Sequence, residues 1–238
     1  MGANAQTSVP DFTAGQVLTA AQMTEVNTGI PVFATSVERD AAFGGTGEKT
    51  LAEGQYAYLE STKQTQFYDG AAWQTIGGLS LIVPQTSVSA VAAITIDGCF
   101  TSAYTNYLII ANLTSSAGNN FFYRFRAGGV TTSTNYGNST INQDGATIAG
   151  GRTTAQTSGS VGALRAASEN SIPMYIYSPQ VAQWSKLYTS FLDTVTSTTF
   201  IRYDNLSVQT TTTQFDGITF FCSVANISGN YTVYGFNK

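Results

Sequence analysis

The chain has 238 residues, with ten Lys and Arg against fourteen Asp and Glu, and no His. A net charge of −4 with scattered cations leaves no basic stripe to displace counterions from phosphate, which argues against nucleic-acid binding. The lack of His removes the Ser-His-Asp and Cys-His nucleophile arrangements and the usual catalytic zinc sites.

Residues 1–18 carry no periodicity and read as an extended arm, without the basic-plus-apolar run of a secretory signal. No segment approaches the ~20 apolar residues of a membrane helix, so no membrane insertion is expected. Thr19 and Gln22 have the spacing of a capping box, and Leu18 and Met23 stand where a hydrophobic staple closes over it. Gly29 and Pro31 then stop the helix. A helix of about two turns is unstable alone in water. Residues 1–29 are therefore expected to lie on a surface, presenting Phe12, Val17, Leu18 and Met23. Packing of this segment against its own domain is the alternative.

Residues 30–78 form a second region. Thr35 and Glu38 repeat the capping-box spacing. The stretch Gly44-Gly45-Thr46-Gly47-Glu48-Lys49-Thr50 superficially resembles a phosphate-binding loop, but Glu48 separates the glycine from the lysine. An ordinary loop is expected. From 55 to 76 three strands follow, with turns at 61–64 and at Asp69-Gly70, and with Tyr, Phe and Trp side chains facing one partner. Gly77-Gly78 reads as a hinge.

Residues 79–238 show short strands separated by Gly, Ser, Thr and Asn: 80–83, 91–97, 106–113, 120–127, 172–178, 186–193, 198–203, 215–223 and 230–236. Phe121, Tyr123 and Phe125 alternate with Arg124 and Arg126, as in a half-buried strand. The pattern predicts an all-β fold whose C-terminal part is a jelly-roll-like β-sandwich. The Gly/Thr/Ser/Asn-rich residues 128–170 are expected to hold at most one or two weak strands. Only 10% of the chain is charged, against about 25% in ordinary soluble proteins. So neutral a surface suits a subunit of an assembly.

The chemistry tested on this frame is mostly excluded. Cys99 and Cys222 sit in predicted strands without a CxxC pair and are expected to be buried thiols. Asp97, Asp144, Asp193, Asp204 and Asp216 lie in or beside the sandwich, but isolated carboxylates at strand ends ordinarily cap turns. No EF-hand or nonapeptide calcium loop is present. No catalytic residue, metal ligand or cofactor is therefore assigned. Carbohydrate contact is harder to dismiss, with Tyr136, Tyr175, Tyr177 and Trp184 as candidate rings. Core packing is the competing role for each of them.

Three segments carry a resemblance. Phe12-Thr13-Ala14-Gly15-Gln16-Val17-Leu18-Thr19-Ala20-Ala21-Gln22-Met23 resembles the opening of tail-fibre, minor-tail and other virion proteins of tailed bacteriophages, where an Asn usually follows; here Thr24 stands there. Val32 to Asp40, with Glu53-Gly54-Gln55 and Tyr68-Asp69-Gly70-Ala71-Ala72-Trp73, resembles a second phage element, an "F-A-x-x-x-x-R-D" start before a small meander. Phe100 to Tyr107 and Ser228 to Phe236 resemble the opening and closing of phage β-sandwich domains, with Phe236 where Tyr is common. The resemblance implies a virion structural protein exposed on the particle surface, assembled in the bacterial cytoplasm as a homotrimer. Its residues 1–29 would bind other virion proteins and its sandwich would meet a host-surface glycan. A short tail fibre or tail-tip protein is the leading expectation, a head fibre or capsid decoration protein the second, and a free lectin or small glycan hydrolase the third.

Overall fold

The computed structural model describes residues 9, 11–20, 22–23, 29–46, 48–166, 169–194 and 200–236. The chain divides into two compact units, 1–77 and 78–238, each taken here by itself.

In the first unit, strand β1 (Val32–Phe33) leads into helix α1 (Ser36–Ala41), then β2 (Tyr56–Leu59), β3 (Gln64–Tyr68) and β4 (Trp73–Thr75). Three strands were expected from the pattern; the sheet has four, in the order β1-β2-β3-β4. The added strand pairs parallel to β2, which a two-residue strand buried beside a helix does not announce by alternation. The capping box at the start of α1 is formed: Thr35 Oγ1 accepts from Glu38 N–H and the Glu38 side chain accepts from Thr35 N–H. The core consists of Val9, Phe33, Ala42, Ala57 and Leu59, with Phe43 and Trp73 against it. Val9 also bonds through its backbone to Ala42 and Lys49. Among the described residues of the arm, Val9 thus packs into its own unit, the alternative left open by the sequence.

The phosphate-loop resemblance has a structural answer. The Glu48 carboxylate accepts from Gly45 N–H at 2.9 Å, so a fixed anion of the chain takes a backbone donor that such a loop would offer to phosphate.

The second unit is a β-sandwich of unequal sheets. One holds eight strands: β5 (Leu79–Val91), β7 (Asn106–Ser115), β10 (Tyr136–Asp144), β11 (Thr147–Gln156), β13 (Asn170–Tyr177), β14 (Ser185–Thr194), β15 (Phe200–Gln209) and β17 (Ile227–Phe236). Their order is β11-β10-β15-β14-β13-β7-β17-β5, antiparallel throughout. The other sheet runs β12 (Gly159–Leu164), β8 (Asn119–Ala127), β16 (Gly217–Cys222), β6 (Ala93–Ile96), with β9 (Val130–Thr131) also on β8. The expected alternation sets the inner faces: Phe121, Tyr123 and Phe125 from β8 meet Tyr107, Ile109, Ile172, Met174 and Val233 from the larger sheet. Phe125 stacks on Phe215 at 5.0 Å between centroids, and Tyr123 stands edge-on to Tyr136 at 5.8 Å.

Residues 128–170 depart from expectation, since they contain β9, β10, β11 and β12. Gly128 and Gly129, both at positive φ, close the β8–β9 hairpin, and Gly145 at φ 56 opens the two-residue turn between β10 and β11. All ten residues of β11 are exposed, so neither of its faces is marked by apolar alternation.

Both cysteines are free and buried, and desolvation pushes Cys99 up to about 12 and Cys222 up to about 11.

Candidate functional site

A cleft forms on the outer face of the larger sheet, where the β10–β11 hairpin adjoins β15 and β14. Antiparallel register puts Tyr188, Leu206, Ser139 and Arg152 in one transverse row. Lys186, Val208 and Gly137 occupy the adjacent row. Because strand neighbours alternate between faces, these residues point outward while Leu187, Ser207 and Asn205 point inward. Trp184, just before β14, supplies a wall, and Asn135 and Thr210 lie at its end of the cleft.

The cleft has a volume of about 600 Å³. A second depression of about 410 Å³, lined by Ala182, Gln183, Trp184, Lys186 and Thr212, shares the Trp184 and Lys186 side chains. Trp184, 55% exposed, therefore borders both hollows. The missing side chain at Gly137 keeps the floor low: a Cβ there would crowd Val208 Cγ1 at 3.3 Å. A β-bulge separates Tyr136 from Asn138 at this point, and Ala155 and Asn135 on the rim hold positive φ.

A polar layer fixes the floor from beneath. Asn205 Nδ2 donates to the Val161 carbonyl at 2.9 Å, and Ser160 N–H donates to Asn138 Oδ1 at 2.9 Å. Ser207 Oγ accepts from Ser160 N–H at 3.1 Å and lies 2.7 Å from Asn138 Oδ1. These bonds tie β10 and β15 to β12, so the outward side chains stand on a floor held by both sheets. Within this network the side-chain amides of both Asn138 and Asn205 are engaged.

The four candidate rings separate. Tyr136 is 1% exposed; its hydroxyl accepts from Phe125 N–H at 2.8 Å and donates to the Thr132 carbonyl at 3.2 Å. Its ring is core, because the inward phase of β10 puts it opposite Tyr123, and burial pushes the phenol well up. Tyr136 is thereby corrected as a glycan contact. Tyr175 lies between Tyr188 at 6.3 Å and Phe236 at 6.4 Å on the outer face, half-buried by these neighbours. Tyr177 is 39% exposed but does not line the cleft. Trp184 alone of the four offers its ring to the concavity. Arg152 and Lys186, which carry no local motif, were not singled out by sequence.

Four of the five carboxylates are engaged in structure. Asp97 pairs with Arg126, Asp193 with Arg165 and Asp204 with Arg202, while Asp216 accepts from Gly128 N–H. Among the described residues no group of three or more His, Cys, Asp or Glu converges as a metal site, and no helix is long and apolar enough to cross a membrane.

In the N-terminal segment the Thr19–Gln22 capping box is formed, with Thr19 N–H donating to Gln22 Oε1 at 3.0 Å and Gln22 N–H to Thr19 Oγ1 at 3.2 Å. Phe12, Val17, Leu18 and Met23 are 39%, 89%, 40% and 52% exposed. Residues 24–28, which complete the expected helix, lie outside the described residues.

No family model, curated protein or solved structure matches the chain.

Proposed function

We propose that the chain is a non-enzymatic structural protein of a tailed-phage virion, a short tail fibre or tail-tip protein. It attaches through residues 1–29 and presents its sandwich to the host surface. The observation that carries this reading is the complete capping box at Thr19 and Gln22, beside which Val17, Leu18 and Met23 are 89%, 40% and 52% exposed. A capped turn with its apolar side chains uncovered is built for a surface supplied by another molecule. The likeness of the same residues to phage virion openings supports the choice of partner.

Self-association, proposed as a homotrimer, is supported by the outer face of the eight-stranded sheet. Leu79, Leu81, Ile110, Tyr177 and Tyr188 are all more than a third exposed there. A contiguous apolar sheet face is unusual on a free monomer. Repetition of copies on a particle turns weak individual contacts with host glycan into firm attachment. A head fibre or decoration protein on the shell shares this architecture. Gold labelling of a tagged copy on purified particles tests the placement: label at the tail tip is expected, and label confined to the capsid overturns the tail assignment.

A further inference from the structure

We propose that the cleft between Arg152 and Lys186, walled by Trp184, binds a carboxylate-bearing saccharide such as a uronic-acid or sialic-acid unit. The proposal rests on the reading of the sandwich as a host-facing, glycan-meeting module and names the class of glycan.

Charge gives the first argument. The protein carries −4 overall, yet Arg152 and Lys186 border one hollow, and neither belongs to any ion pair found among the described residues. They stand on β11 and β14, three strand spacings or roughly 14 Å apart across the floor. That span suits an elongated ligand reaching from one to the other better than a single small ion.

Chemistry gives the second. Arg offers a planar fork that matches a carboxylate, and Lys adds a mobile ammonium. The exposed indole supplies a flat apolar surface for the C–H face of a sugar ring. Ser139, Thr154 and Thr210 line the cleft with neutral hydroxyls, suited to sugar hydroxyls. The volume of about 600 Å³ falls within the range of small-ligand sites, and the adjoining hollow of about 410 Å³ past Trp184 leaves room for the chain to continue.

Preorganisation gives the third. Gly137 keeps the floor clear, and the Asn138–Ser160–Ser207 bonds fix the strands beneath it. The occupant therefore meets a preformed shape, with little ordering cost on the protein side.

The test uses the full-length protein and a panel of uronate and sialate oligosaccharides beside their methyl esters and neutral counterparts. Binding is read by calorimetry and by the indole fluorescence of the Trp73→Phe variant, which leaves Trp184 as the sole tryptophan. The expected result is binding of the acidic forms with at least about tenfold preference over the esters. Arg152→Gln and Lys186→Gln should each weaken it about tenfold, and Trp184→Ala should remove most of it, with unchanged thermal melts. Equal binding of acid and ester overturns the proposal. So does binding that survives in the Arg152→Gln/Lys186→Gln variant, which would leave a glycan-binding sandwich with its site elsewhere. Failure of every saccharide in the panel would overturn the glycan-meeting reading together with the site. A fluorescence change that depends only on protein concentration would assign the cleft to a second copy and overturn the proposal too.

Discussion

Arg165 Nε meets Asp193 Oδ2 at 2.8 Å, and the carboxylate it reaches has no exposure to solvent. The pair joins the end of β14 to the segment following β12, and the Arg165 guanidinium is held more firmly charged by that hydrogen bond. Removing one partner leaves a charge or an unpaired polar group inside the sandwich. Because Arg165 is about a third exposed, Arg165→Gln is expected to cost near the low end of the range for broken buried pairs, about 3 kcal/mol. Urea unfolding of the two proteins measures it. A loss below about 1 kcal/mol would mean the carboxylate is solvated by other means.

Alkali should unfold the sandwich through its thiols. Burial raises Cys99 from 9.0 to about 12 and Cys222 to about 11, so the folded state keeps protons that the unfolded state releases. Stability from this source is complete below pH 9 and is lost as pH rises towards 11 and 12. Each group then contributes a slope of at most about 1.4 kcal/mol per pH unit. Chemical denaturation from pH 8 to 11 should show the decline, with a shallower slope in Cys99→Ala/Cys222→Ala. The same burial predicts that thiol reagents at pH 8 label the native protein only on unfolding.

Thr35→Ala removes the side-chain acceptor for Glu38 N–H at the start of α1. It is expected to cost the first unit about 1 kcal/mol, as N-cap truncations do. Thr35→Asn should restore most of that, and hydrogen exchange at Glu38 reports it directly.

Gly229 sits at φ +133 where β17 pairs antiparallel with β7, and a Cβ added there would land on the Asn112 carbonyl oxygen. Gly229→Ala is expected to destabilise the sandwich by at least about 2 kcal/mol, since both backbone conformation and packing oppose it. Gly78→Ala, with open space around it and no positive φ, should be neutral.

What the sequence made legible follows from which signals are local. Both capping boxes, the Asp69-Gly70 turn and the inward phase of β8 rest on neighbours within four residues, and each is present as read. Strands β10 and β11 escaped because the hairpin is solvated on most of its length, so Thr, Gly, Gln and Asn fill positions where alternation would otherwise show. The cleft escaped for a different reason. Arg152, Leu206 and Lys186 come from three strands that only cross-strand register brings together, and nothing in their local sequence marks them. Tyr136 shows the converse limit: a ring in a polar, glycine-rich stretch reads as exposed until its partner Tyr123 is placed.

We propose that Val17, Leu18 and Met23 are exposed because another virion protein covers them in the particle. The decisive measurement is the number of copies per purified phage particle when the gene carries Val17→Ser, Leu18→Ser and Met23→Ser together. Val17 and Met23 are more than half exposed and Leu18 is 40% exposed, so the variant protein should fold with little change in its melt, and particles that lack it are expected. Wild-type copy number in those particles, or absence of the unaltered chain from particles altogether, would contradict it.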